Sequence, residues 1–347
     1  VKLAITADVH LKTEKEVPER YNALRGILRQ CAAEGITTLV ICGDLFDYDF
    51  SNFADFENLC AAHSDVMFWI LPGNHDARLS IRALTGRNIR IFEKAEIVEA
   101  GRQLLFLPYE HGSLMGVKLA DFSGELNPGE WVLMAHGDYL QGTRVQHESE
   151  PDRYMPLSRD DLQRYHPSRV FLGHIHAASD GEVIYPGSPC GLDISETGSR
   201  RFLIYDTATG TVSPRALETD VVFGELQLTV LPVEDDAAQA AAEVKDWLSA
   251  SGLFEHKKTA RLRVRAFGYS RDRGALKQAI EQELVGFHMY KDEPVDISGV
   301  SITADAQRSD IAEKVRAEIH NLELANGQDE PGESSILLQA LKVIFEG

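Results

Sequence analysis

The sequence predicts an α/β fold with a mixed sheet, or two sheets packed together, followed by a smaller α+β domain. Three observations predict it. Over residues 2–71, apolar or β-branched runs alternate with stretches of helical spacing. This βαβαβ rhythm implies parallel strands with helical crossovers. Further apolar runs follow with few helices between them. Near residue 220 the pattern changes to a compact β-α-β-α unit.

The elements follow in order. Residues 2–6 read as a strand. Residues 19–34 have helical spacing at Leu24, Ile27, Leu28 and Cys31, with Gly35 as a stop. Residues 37–42 are a β-branched run, 53–63 a helix and 66–71 the next strand. Later strands are expected at 103–108, 131–135, 169–173, 181–187 and 201–206. Beyond 220, strands are expected at 222–230 and 260–267, and helices at 234–250 and 272–285. Residues 308–325 show helical spacing at Ile311, Val315, Ile319 and Leu322. A polar stretch, "ANGQDEPGES", precedes a closing apolar helix from Ile336 to Phe345. The domains expected are 1–220, 221–305 and 306–347.

The chain of 347 residues is long enough for a full core and more than one domain. No apolar run approaches a membrane span, and the opening "VKLAIT" reads as a strand, with no signal or transit pattern. The four cysteines are scattered without paired spacing, so a reducing cytoplasm is expected. A net charge of −19 argues against a general affinity for nucleic acid. It leaves room for a nuclease, because carboxylates that hold metal count as acidic until the metal binds.

The chemistry sits where strands end. "LAITADVH" delivers Asp8 and His10. "TLVICGDLFD" delivers Asp44, with Asp47 three residues on. "FWILPGNHD" delivers Asn74, His75 and Asp76, "WVLMAHGD" delivers His136, and "RVFLGHIH" delivers His174 and His176. Residues at the carboxyl ends of strands gather along one edge of an α/β sheet. Each cluster alone is more often a turn or a strand end. Five of them in order point to metal. The count of carboxylates, imidazoles and one amide exceeds what one ion needs and suits two. Oxygen and nitrogen donors without thiolate fit manganese, iron or zinc. Such a pair holds a hydroxide for in-line attack on phosphorus. The central Asp44 is the expected bridge. Gly43, Gly73 and Gly173 each precede a ligand where the backbone must turn without a Cβ.

The ordered set "DVH … GDLFD … GNHD … HGD … GHIH" resembles the calcineurin-like metallophosphoesterase superfamily. The resemblance implies a four-layer α/β/β/α sandwich with a smaller α+β cap and C-terminal helices. It implies one ion held by Asp8, His10, Asp44 and His176, and another by Asp44, Asn74, His136 and His174. His75 would face the scissile phosphate, steady the developing charge and protonate the leaving oxygen. Asp76 is expected to orient His75 from behind. Together with "YPGSPCGLDISE" (185–196), "GDLFD" is similar to SbcD-type double-strand-break repair nucleases. These use manganese as 3′–5′ exonucleases and single-strand endonucleases, and pair with an SbcC-type coiled-coil ATPase. Some archaeal and eukaryotic relatives carry His where this chain has Asp47.

Contacts outside the centre follow from charge and apolarity. Arg261, Arg263 and Arg265 alternate on one strand face within a basic segment, 256–273, with one acid, Asp272. Phosphate contact and a solvated outer face are equally open readings of it. Arg78 and Arg82 are spaced as on a helix beside the site, and Arg78 is expected to hold a phosphate. Leu337, Leu338, Leu341, Ile344 and Phe345 form an apolar helix that either docks on its own domain or grips the ATPase partner. A homodimer is also expected. The rival enzyme reading is a small-molecule phosphodiesterase or phosphatase, with an enclosed pocket instead of an open groove. A scaffold on an inactive fold predicts lost ligands, and all seven are present.

Overall fold

The computed structural model describes residues 1–48, 50–80, 82–140, 154–321 and 332–346. The chain divides into two compact units, one of residues 1–192 and 199–220, the other of residues 193–198 and 221–347. Leu322 and most of the polar stretch before the last helix lie outside the described residues. No helix among the described residues is long and apolar enough to cross a membrane.

In chain order the first unit contains β1 (Lys2–Thr6), α1 (Pro18–Glu34), β2 (Thr38–Cys42), α2 (Ala54–Ala62), β3 (Met67–Leu71), β4 (Ile89–Ile91), β5 (Glu96–Glu99) and β6 (Gln103–Leu107). There follow α3 (Met115–Ala120), β7 (Trp131–His136), the two-residue strands β8 (Tyr139–Leu140) and β9 (Leu157–Ser158), α4 (Arg159–Tyr165), β10 (Arg169–Gly173), β11 (Arg200–Asp206) and β12 (Thr211–Leu217). One sheet has the order β12-β11-β1-β2-β3-β4, the other β10-β7-β6-β5. β1 to β4 run parallel, as do β6, β7 and β10, and antiparallel strands close the edges at β11, β12 and β5.

Alternation along each strand builds the layers. Leu3, Ile5, Val40 and Leu71 meet Leu104, Phe106, Val132, Met134 and Phe171, so the two sheets pack face to face. The opposite side of the first sheet, Ala4, Leu39, Ile41, Phe68 and Ile70, receives Leu24, Ile27 and Leu28 of α1 and Phe56 of α2. The opposite side of the second, Leu105, Leu133, Val170 and Leu172, receives Met115 and Leu119 of α3 and Leu162 of α4. The result is the α/β/β/α arrangement expected, with both sheets covered on both faces.

The strand expected at 181–187 is not one. Only isolated bridges form there, Phe171 to Ile184 and Ser179 to Tyr185. Pro186 and Gly187 (φ 78°) then end the extended run. β12 was not expected, because Pro214 breaks its pattern; as an edge strand it tolerates a missing donor.

The second unit contains β13 (Val222–Val230), α5 (Asp236–Ala250), β14 (Ala260–Ser270), α6 (Arg273–Glu283), β15 (His288–Met289), β16 (Asp296–Ile302), α7 (Ala306–His320) and α8 (Glu333–Glu346). Its strands are parallel, with β14 central. Aspartates start three helices, Asp235, Asp272 and Asp305 each accepting from backbone N–H groups of the first turn. Val244, Leu248, Leu276 and Ile280 of α5 and α6 pack on Leu228, Leu262, Val264 and Ala266 of the sheet.

The closing helix docks on its own unit. Leu337 and Leu341 are buried with Leu231, Tyr269, Ala312 and Ile319, and Ile344 and Phe345 pack against the same cluster. The Phe345 ring stacks 4.4 Å from Tyr269, whose hydroxyl donates to Glu346 at 2.8 Å. Leu338 is half-buried on the same helix. Of the two readings of these five residues, docking in cis accounts for Leu337, Leu341, Ile344 and Phe345, since an apolar helix removes its surface from water on the nearest matching face. On α7 the inward row is Ala312, Val315 and Ile319, while Ile311 is 44% exposed.

Candidate metal centre

The strand ends of the first unit converge. The two halves of the sandwich meet where β1, β2, β3, β7 and β10 stop, and the loops that follow carry the expected donors. Three groups of donor atoms lie within 4.8 Å of one another: Asp8, His10 and His176; His10, Asp44 and His75; Asp44, His136 and His174. Asn74 Oδ1 joins the last group, 2.7 Å from His136 Nε2 and 3.0 Å from His174 Nδ1. Asp44 stands between the two ends. Its Oδ2 is 3.7 Å from His10 Nε2 and 3.5 Å from His136 Nε2, while its Oδ1 accepts the His75 N–H at 2.9 Å.

The backbone is bent hard to achieve this. Asp8, His10, Asp44 and His174 all have positive φ, at 54°, 51°, 50° and 98°. Non-glycine residues rarely adopt this region, and where they do the strain clusters at functional sites. Close approach explains two glycines. A Cβ on Gly73 would lie 2.2 Å from Asp44 Oδ1, and one on Gly173 would lie 1.9 Å from the Cys42 carbonyl. Two arginines, Arg20 half-buried and Arg200 buried, support the turns from behind. Arg20 Nη1 donates to the His10 carbonyl, and Arg200 Nη1 to the His176 carbonyl at 3.3 Å.

The donor chemistry fits divalent cations. His136 is fully buried and its Nδ1–H donates to the Cys42 carbonyl at 3.0 Å, which leaves the Nε2 lone pair facing Asn74 Oδ1 and Asp44. His10 Nε2 and His176 Nε2 face each other at 3.1 Å. Burial pushes the imidazoles to neutrality, His10 down to about 2, His136 to about 3 and His174 to about 4. Burial also raises the Asp44 carboxyl to about 6. Inward-facing lone pairs on neutral imidazoles, an amide oxygen and carboxylates repel one another unless positive charge lies among them.

A family profile described as calcineurin-like phosphoesterase matches residues 1–178. The chain belongs to the calcineurin-like phosphoesterases. Among curated proteins, the uncharacterized metallophosphoesterase YhaO of Bacillus subtilis (strain 168) is 24% identical over 221 residues, 56% of this chain and 51% of that protein. The chain thus spans about half the length of the curated relative it matches. Among solved structures, an archaeal phosphodiesterase is 17% identical with a TM-score of 0.33, over 62% of this chain and 100% of its own. A second solved chain is 16% identical with a TM-score of 0.40, over 62% and 99%.

Around this phosphoesterase centre the structure redistributes several roles. The carboxylate beside His75 is Asp47, with Oδ1 3.3 Å from His75 Nδ1. Asp76 faces away, accepting from the Gly73 N–H at 2.7 Å and the Phe46 N–H at 3.1 Å. It locks the "GNHD" turn to the Asp44 loop, and burial with the neighbouring Asp44 charge raises it to about 7. Its expected role as the orienter of His75 is corrected: adjacency in sequence places the two side chains on different sides of the turn. Asp138 backs the other end of the site, 3.5 Å from His174 Nε2. The "HGD" motif contained that signal, but only the first of its two ionisable residues was given a task.

Arg78 is exposed beside the centre, but in a turn; no helix forms among the described residues between Asp76 and Asn88, so the helical pairing with Arg82 is corrected. In the second unit, Arg261, Arg263 and Arg265 do share a face, as Leu262, Val264 and Ala266 point to the core. That face is not simply basic. Arg263 makes a bidentate pair with Glu293 at 2.8 and 3.0 Å, and Glu225 lies 3.7 Å from both Arg263 and Arg265. Arg261 donates to the Lys258 and Ala260 carbonyls. Acids distant in sequence offset two of the arginines in what looks like a basic run.

Proposed function

We propose that this chain is a two-metal DNA nuclease of the SbcD type, acting as a 3′–5′ exonuclease and single-strand endonuclease, with manganese as its working ion. The supporting observation is a cleft of about 790 Å³ that opens onto Asn74 and His75 and is walled by aromatic rings, with Arg78 at its side. A volume of this order accepts a nucleotide unit.

In this reading Asp8, His10, Asp44 and His176 hold one ion, and Asp44, Asn74, His136 and His174 the other. When bound, the pair would polarise the phosphoryl oxygens and lower the pKa of an attacking water. The chain's own groups do the rest. His75 stands over the scissile phosphate and delivers a proton to the leaving oxygen, its Nδ1 held by Asp47. Arg78 steadies a flanking phosphate. An SbcC-type coiled-coil ATPase, a second copy of the chain and a cytoplasmic setting belong to the same proposal. Such a partner would meet the outer surface of α8, where Val343 is 74% exposed.

The test is digestion of linear and single-stranded DNA with manganese by wild type and His75→Ala, beside hydrolysis of a nitrophenyl phosphodiester. Wild type is expected to degrade DNA and the variant to lose most of that activity. Nitrophenyl ester hydrolysis with DNA left intact would overturn the nuclease reading and favour a small-molecule phosphodiesterase. The chain's net charge of −19 and the paired state of Arg263 are what that alternative rests on.

A further inference from the structure

The cleft contains two tyrosines that neither the metal centre nor the core accounts for. Tyr48 is 67% exposed and Tyr154 38% exposed, high values for rings that line a cavity. Tyr48 lies edge-on to His75, with ring centroids 6.0 Å apart, and Tyr154 lies 4.5 Å from His174. The other aromatic residues of the cleft have structural work. Phe50 and Phe53 pack on the buried Phe46, at 5.9 and 4.6 Å, and Tyr109 is 8% exposed within the second core. Neither the Tyr48 nor the Tyr154 hydroxyl makes a hydrogen bond among the described residues.

Two exposed rings therefore border one cavity, each beside an imidazole of the phosphoester site. Leaving flat apolar faces in water is unfavourable, and a planar π-system between or upon them would remove that exposure. The phosphate must lie at the imidazoles, so a ring one sugar away falls within the cleft. Arg78 on the same wall adds a cation for the adjoining phosphate or a guanidinium plane for the ring.

We propose that Tyr48 and Tyr154 form a nucleobase-stacking subsite, which makes the preferred substrate a nucleotide unit whose base is unstacked from its neighbours. This deepens the nuclease reading and rests on it for the identity of the phosphoester. Stacking is tolerant of base identity, so the subsite selects for the presence of a base and for single-stranded or frayed ends. A duplex keeps its bases stacked inside and offers the rings nothing.

The test is equilibrium binding, in manganese, of deoxyadenosine 5′-monophosphate against deoxyribose 5-phosphate, which lacks only the base. Wild type is expected to prefer the nucleotide by about tenfold or more. Tyr48→Ala and Tyr154→Ala should each cut that preference to about threefold or less, and Tyr48→Phe and Tyr154→Phe should restore it, because the ring face is kept. Manganese stoichiometry measured on the same samples identifies any variant that has lost the centre. Equal affinity for the two ligands in wild type, a preference that survives both alanine changes, or a lost preference that tracks lost manganese would each overturn the subsite. If the preference is present while DNA is left intact, the nuclease reading falls and the subsite stands. If DNA is cut with no preference, the reverse holds.

Discussion

Asp47 Oδ1 lies 3.3 Å from His75 Nδ1, and the same carboxylate is fixed by Lys12 Nζ at 3.1 Å and the Tyr48 N–H at 2.8 Å. A carboxylate so held fixes the imidazole's tautomer and aims Nε2 outward. Asp47→Ala should therefore lower kcat about ten- to hundredfold on a nitrophenyl phosphodiester while KM moves little. Asp76→Asn, which keeps one of the turn's two acceptor oxygens and leaves the His75–Asp47 contact in place, should lower kcat less. Steady-state kinetics of the two variants decide between these carboxylates, and the opposite ranking would restore Asp76 as the orienter.

Gly73→Ala should weaken the centre without replacing a donor. The added methyl carbon would fall 2.2 Å from Asp44 Oδ1 and 2.8 Å from His136 Cε1, so one of them must move. Overpacking of this kind costs about 1–3 kcal/mol, and metal affinity should drop at least tenfold. Manganese titration with a thermal melt checks both. Unchanged affinity would mean that the turn opens freely.

The arginines behind the turns should act on one half of the site. Arg20 and Arg200 hold the carbonyls of His10 and His176, and both imidazoles belong to the group around Asp8. Arg20→Met and Arg200→Met should lower the measured stoichiometry towards one ion per chain, with the ion at His136 and His174 retained. Equal weakening of both ions would show that the support is general.

Acid should destabilise the metal-free protein partly through His136. Its folded pKa is held near 3 by burial, below the 6.5 of the unfolded chain. The unfolded state takes the proton first, so stability is lost as pH falls through 6.5, the slope approaching about 1.4 kcal/mol per pH unit between the two values. In chelator-treated samples, the stability difference between wild type and His136→Asn should shift against wild type between pH 7 and 5. A difference that stays constant over this range contradicts the assignment.

Docking of α8 on its own unit predicts an asymmetric response. Leu341 is fully buried, so Leu341→Ala should cost about 2–5 kcal/mol of the second unit's stability in urea melts. Val343→Ala, at an exposed position, should change it by less than about 0.5 kcal/mol. Equal small effects would mean that α8 does not depend on its own unit for cover.

The elements that the sequence made legible are those with local signals. β1, β2, β3, β7 and β10 reach Asp, Asn or His at their ends or within the next few residues, so a strand's period and its donors are both written in one short segment. Because a parallel sheet collects its carboxyl ends at one edge, the seven donors could be named and ordered before any distance was known. The same locality explains the errors. Asp76 looked like the partner of His75 because it is adjacent, yet adjacent side chains in a tight turn point apart, and Asp47 arrives from another loop. Arg263 looked free because Glu225 and Glu293 are 38 and 30 residues away in the chain. The apolar stripe of α8 announced that it must be covered but could not say by what.

By itself, then, the sequence determined the α/β class, the donor set and the class of chemistry, since periodicity and residue type are properties of short segments; whether the strands formed one mixed sheet or two packed sheets it left open. Only the tertiary structure decided which carboxylate serves which imidazole, which arginines are neutralised, where the last helix rests and which aromatic rings face the cleft. Those depend on how the loops close and the sheets pack, and contacts between distant segments are set by the whole chain's burial of apolar surface.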